Sequence, residues 1–63
     1  MTQEQKDMVR TLKDHGSVSA VSYRLTFAPE EQKWARDNKY VERVRGEYRL
    51  TDAGLAAALL ARS

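Results

Sequence analysis

Apolar positions fall into short stripes separated by charged stretches, and the spacing within each stripe predicts an element. Met8, Val9 and Leu12 (i, i+1, i+4) mark one face of a helix over Thr2 to His15. Thr2 stands as its N-cap, with Gln5 at capping-box spacing. Glu4 lies in its first turn, His15 in its last, and Gly16 follows where a C′ glycine belongs. Val18, Val21 and Leu25 predict a second helix, capped by Ser17, running to about Thr26 and facing inward through those three residues. The β-branched and aromatic content of this stretch (Val18, Val21, Tyr23, Thr26, Phe27) keeps a strand reading open. Ala28-Pro29-Glu30-Glu31 then predicts a third helix, with proline at N1 and two acids complementing the macrodipole. It runs to about Asp37 or Asn38, with Trp34 as its main buried residue.

The period changes to two at Tyr40. Tyr40–Val44 and Glu47–Thr51 predict a β-hairpin closed by Arg45-Gly46, because glycine accepts the positive φ of a two-residue loop. That loop length sets Val41 opposite Leu50, Glu42 opposite Arg49, Arg43 opposite Tyr48 and Val44 opposite Glu47. Glu42 and Arg49 thus form an opposite-charge cross-strand pair. Thr51 caps a last helix over Asp52 to Arg62, packed through Leu55, Leu59 and Leu60. Gly54 in its first turn costs about 1 kcal/mol relative to alanine, which a close contact with another backbone would explain. The expected fold is mainly α with a small β-hairpin, an α+β domain over residues 1–63 in the order helix, helix, helix, strand, strand, helix.

Composition narrows the chemistry. A 63-residue chain buries only about 60% of its unfolded surface, so its stability margin is small. With no cysteine and one histidine (His15), no thiolate or paired-histidine metal site can form, and no cofactor is expected. The chain has no Gly-rich phosphate loop, no cysteine nucleophile and no serine with an evident base partner, so it is not expected to be an enzyme. The polar start (Thr2-Gln3-Glu4-Gln5-Lys6-Asp7) is unlike a signal peptide, and no apolar run approaches the ~20 residues of a membrane span. A cytoplasmic location is expected. Eleven basic against nine acidic residues give +2 overall, but Lys33 to Arg49 carries six cations against three carboxylates, a local +3. Such an excess suits either a polyanionic partner or an ordinary solvated face.

The segment Asn38-Lys39-Tyr40-Val41-Glu42-Arg43-Val44-Arg45-Gly46-Glu47-Tyr48-Arg49-Leu50-Thr51-Asp52-Ala53-Gly54 resembles the wing region of small bacterial or phage winged helix-turn-helix DNA-binding proteins. There Gly-(Leu/Tyr)-Val-x-Arg precedes a short wing and Tyr-x-Leu-Thr-x-x-Gly follows it; Lys39 stands here where that glycine is usual. The resemblance covers about a quarter of the chain, and Ser17–Asn38 lacks the usual alanine–glycine turn.

The resemblance implies a protein that binds double-stranded DNA, as a transcription regulator or an excisionase-like architectural factor. It implies that Gln32, Lys33, Arg36 and Asn38 on the third helix face the major groove, where their amide, ammonium and guanidinium groups suit base edges and phosphates. Arg43, Arg45 and Arg49 would be wing contacts, and Ser17 and Ser19 phosphate donors at the start of the second helix. The aromatic residues read as core rather than as base-stacking groups, with Tyr48, beside the arginines, the exception. Ala53, Ala56 and Leu60 fall on a different stripe from Leu55, Leu59 and Arg62, which leaves a homodimer face open on the last helix. Glu30, Glu31 and Asp37 suit the alternative, a protein-interaction module that binds no DNA.

Overall fold

In the computed structural model, which describes residues 1–61, Thr2 opens α1 (Gln3–His15) by a reciprocal cap. The Gln5 amide donates to Thr2 Oγ1 (3.1 Å) and the Thr2 amide donates to Gln5 Oε1 (2.8 Å). Gly16, at φ 78°, ends the helix and donates to the Leu12 carbonyl. Met8, Val9 and Leu12 are the largest fully buried side chains and fill the centre of the core.

Ser17–Ser19 then forms β1, a strand, where the second helix was expected to begin. The triplet alternates polar, apolar, polar, so a strand turns Val18 inward and both serines outward. α2 (Ala20–Thr26) starts two residues later than expected, capped by Ser19 rather than Ser17; the Ser19 Oγ accepts from the Ser22 amide (3.2 Å). Its inward face is set by Tyr23 and Phe27, in edge-to-face contact at 5.5 Å between ring centroids. Val21 and Leu25 lie on the opposite side, 68% and 82% exposed, so the expected inward stripe is reversed. Aromatic rings at i and i+4 bury more apolar surface than a valine and a leucine, and they decide which face packs.

α3 (Pro29–Asp37) has proline in its first turn, as expected. Ala35, rather than Trp34, is its buried residue; Trp34 is half-buried, edge-on to Tyr40 at 5.2 Å. The small side chain lets α3 approach α1, while the indole packs against Tyr40.

β2 (Val41–Val44) and β3 (Glu47–Leu50) pair in the expected register at all four positions. Arg45 and Gly46 both take positive φ, 53° and 79°, the geometry that matches a tight turn to strand twist. The sheet order is β1-β3-β2, with Val18 opposite Tyr48, so β3 is the central strand. The Gly46 carbonyl accepts from the Ala20 amide (3.0 Å), which ties the hairpin turn to the start of α2. The hairpin is therefore a sheet component rather than the free-standing ribbon that its sequence suggests.

Thr51 joins three elements. Its hydroxyl donates to the Lys39 carbonyl (2.6 Å) and accepts from the Gly54 amide (3.1 Å), and its amide donates to the Tyr40 carbonyl (2.9 Å). Lys39 itself sits at φ 58°, the left-handed region, at the position where the resembling family carries glycine. α4 (Asp52–Leu60) follows; Arg62, in the expected helix, lies outside the described residues. α4 packs through Gly54, Ala57, Ala58 and the adjoining Ala61, whereas Leu55, Leu59 and Leu60 are 41%, 56% and 70% exposed. The leucine stripe therefore faces away from the core. The reason is Gly54: a Cβ there would overlap the Tyr40 carbonyl, so the helix lies too close for any face but its smallest. Among the described residues no helix is long and apolar enough to cross a membrane.

Candidate nucleic-acid interface

Strand parity divides the hairpin cations between two faces of the sheet. Val41, Arg43, Tyr48 and Leu50 share the side that carries the helices, while Glu42, Val44, Glu47 and Arg49 share the other. On the helix side, Arg43 meets the flank of α3, and the two enclose a groove of about 300 Å³. Lys33, Arg36 and Arg43 line it with Gln32, over a floor made by Tyr23, Tyr48, Val41 and Pro29. Three cations and no carboxylate line this groove.

The floor is rigid. Tyr23 is 3% exposed and stacks on Tyr48 with ring centroids 4.0 Å apart and planes 15° from parallel. Burial, and secondarily the neighbouring Tyr48, push the Tyr23 phenol up to about 12, while the Arg36 guanidinium pulls it back. The Tyr23 phenol is therefore neutral across the physiological range, and the groove charge is set by its three cations.

The other expected contacts are distributed differently. Gln32 donates from Nε2 to the Phe27 carbonyl (2.7 Å), and Asn38 from Nδ2 to the Trp34 carbonyl (2.8 Å). Both amides thus brace backbone at the two ends of α3. Lys33 Nζ stands 4.0 Å from Asp37 across one exposed helical turn, a weak tether. Arg49 Nε is 2.6 Å from Glu42 Oε1 on the far face of the sheet. Ser17 is also on that face, its hydroxyl donating to Glu47 (3.0 Å), so it is not a helix N-terminal phosphate donor. Ser19 is at a helix start as expected, but its oxygen is occupied as the α2 cap. Arg45 projects from the turn with no carboxylate partner among the described residues, and neither Arg36 nor Arg43 has one. Hence Lys33, Arg36 and Arg43 form one cationic surface on the α3 side of the hairpin, while Arg45, at the turn, lines a hollow with Ser17, Val44, Glu47 and Arg49.

Sequence reasoning read Tyr23 as core and did not see it as the groove floor. The signal was there in its i, i+4 spacing with Phe27, which competes with the Val21 and Leu25 stripe. A hollow of about 670 Å³ between the hairpin and the start of α4 has Lys39 and Arg49 offset by Glu42 and Asp52. Its charges cancel, whereas the α3–hairpin groove is lined by three cations and no carboxylate. No protein-family model, curated protein or solved structure matches the chain.

Proposed function

We propose that the protein is a winged helix-turn-helix DNA-binding protein, acting by site occupancy as a transcription regulator or an excisionase-like architectural factor. One observation carries the reading: Lys33, Arg36 and Arg43 converge on one groove that no carboxylate lines. The hairpin that follows three helices and leads into α4 supports it, because the resemblance implies that order. In that arrangement α3 enters the major groove and the β2–β3 turn reaches the flanking backbone. Arg36 and Lys33 are then the groove contacts, with Arg43 and Arg45 on phosphates, while Gln32 and Asn38 hold α3 in shape. Four such cations give affinity that falls with the logarithm of salt at a slope of about −3.6, roughly a hundredfold for a fourfold rise in salt. A host cytoplasm, bacterial or phage-infected, is the matching location.

The exposed Leu55 and Leu59, one turn apart on α4, support pairing of two copies through that helix. A second reading, a protein-interaction module, draws on the loss of Gln32 and Asn38 to internal hydrogen bonds, which leaves α3 fewer groups to read bases. A mobility-shift titration with random-sequence duplex DNA, at low salt and again near physiological salt, separates the two. Binding at low salt that weakens steeply supports the DNA reading, and no binding at low salt transfers the case to the second.

A further inference from the structure

We infer that a second groove, between α1 and the start of α3, receives a basic segment of a partner protein, taking arginine or lysine together with a neighbouring apolar side chain. Glu4, Asp7, Met8 and Thr11 follow one another at i, i+3, i+4 and i+7 along α1 and form one wall. Phe27 and Glu31 stand opposite, and the groove encloses about 350 Å³. Met8 and Phe27 give it an apolar floor, and no lysine or arginine lines it, so three carboxylates rim a hollow on a chain whose net charge is +2. Neither Glu4 nor Glu31 is ion-paired among the described residues, and Asp7 accepts only from the neutral amide of Gln3 (2.9 Å). Glu31 Oε2 is withdrawn from solvent and has no hydrogen-bond donor. A carboxylate oxygen held in that state is costly until a donor reaches it.

The chemistry of the occupant follows. Phosphates are repelled by this rim, so the ligand is not the polyanion of the opposite groove. Among the described residues no three acidic or histidine side chains converge closely enough to hold a metal ion. Carboxylates spaced along a rim with an apolar floor match a side chain that has a charged head and an aliphatic stem, which arginine and lysine possess. Glu31 serves this groove because it lies about 160° around α3 from Lys33, on the side away from the hairpin. The inference is therefore independent of whether the other groove binds DNA.

The test is a ¹H–¹⁵N NMR titration of the full chain with a blocked Leu-Arg-Leu-Arg peptide, run beside Leu-Glu-Leu-Glu and Ser-Arg-Ser-Arg counterparts. Saturable shifts are expected at Thr11, Phe27 and Ala28 with the first peptide, weaker ones with the serine peptide and none with the glutamate peptide. The double substitution Glu4→Gln, Glu31→Gln should weaken binding roughly tenfold, since each lost charge-assisted contact contributes a factor of several. Arg43→Ala should leave it unchanged. Asp7→Asn provides a second variant on an exposed position should the double variant lose its fold. Unchanged affinity in the charge-neutral variants, shifts confined to the α3–hairpin groove, or sedimentation showing the acidic groove closed by a second copy would each overturn the inference.

Discussion

Gly54 is the position where one added carbon matters most. Its Cβ would collide with the Tyr40 carbonyl and sit 2.8 Å from Leu50 Cδ2, and backbone cannot rotate away as a side chain can. Alanine normally gains about 1 kcal/mol over glycine inside a helix. Here the overlap outweighs that gain, and Gly54→Ala is expected to destabilise by at least about 2 kcal/mol in urea unfolding. Stabilisation would mean that α4 does not lie against Tyr40. Lys39 gives the opposite expectation. Its φ of 58° strains a residue with a Cβ, and Lys39→Gly should raise the melting temperature, by about 0.5–1 kcal/mol of stability. Tyr23 couples residue chemistry to pH. Its folded-state value, about 12, lies above the ordinary tyrosine value of 10.0, so the folded chain holds this proton more tightly than the unfolded chain does. The resulting stabilisation is fully present below pH 10 and is lost as pH rises towards 12, an effect of up to about 2–3 kcal/mol. Tyr23→Phe should flatten that alkaline loss in pH-dependent melts and remove the latest phase of tyrosinate absorbance. A wild-type phase that survives the substitution would show the phenol to be accessible.

At the scale of elements, α2 and α4 each turn to the core the face that carries fewer large aliphatic side chains. On α2 the aromatic pair Tyr23 and Phe27 packs, and Val21 and Leu25 face out; Leu25→Lys should therefore change stability by less than about 0.5 kcal/mol, while Phe27→Ala should cost about 3–5 kcal/mol. Comparable losses at the two sites, measured by chemical denaturation, would restore the Val18, Val21, Leu25 face. Local rules made part of this plan legible in the sequence. The α1 cap, the proline start of α3, the hairpin register and the Thr51 cap depend on residues within a few positions of each other, and all are present. What was hidden depends on partners distant in sequence. Ser17–Ser19 becomes a strand because β3, thirty residues later, offers an unpaired edge; the β-branched content around Val18 left a strand reading open but could not limit it to these three residues. Likewise, the small face of α4 is selected by the Tyr40 carbonyl, so a leucine stripe that looked like core became surface. The candidate site divides in the same way. The resemblance pointed to Arg36 and Arg43, but the face that each hairpin arginine presents followed only from the register and the packing of the sheet.

Over the whole molecule, charge is sorted by place. Lys33, Arg36 and Arg43 gather on the α3–hairpin side, and Glu4, Asp7 and Glu31 gather between α1 and α3. A net charge of +2 conceals both. The longest dimension is 31 Å, less than one turn of duplex (about 34 Å), so on the proposed DNA-binding reading one copy would span a single half-site. The most direct test of the central claim is the salt dependence of duplex DNA affinity for the unaltered chain and for single alanine variants of Arg36, Arg43, Arg45 and Arg49. Loss of Arg36, Arg43 or Arg45 should each reduce the logarithmic salt slope by about 0.9, the release of one phosphate contact. Arg49→Ala, on the far face and paired with Glu42, should leave the slope unchanged. Equal slopes for all four variants and the unaltered chain, or no DNA binding at low salt, would contradict the account.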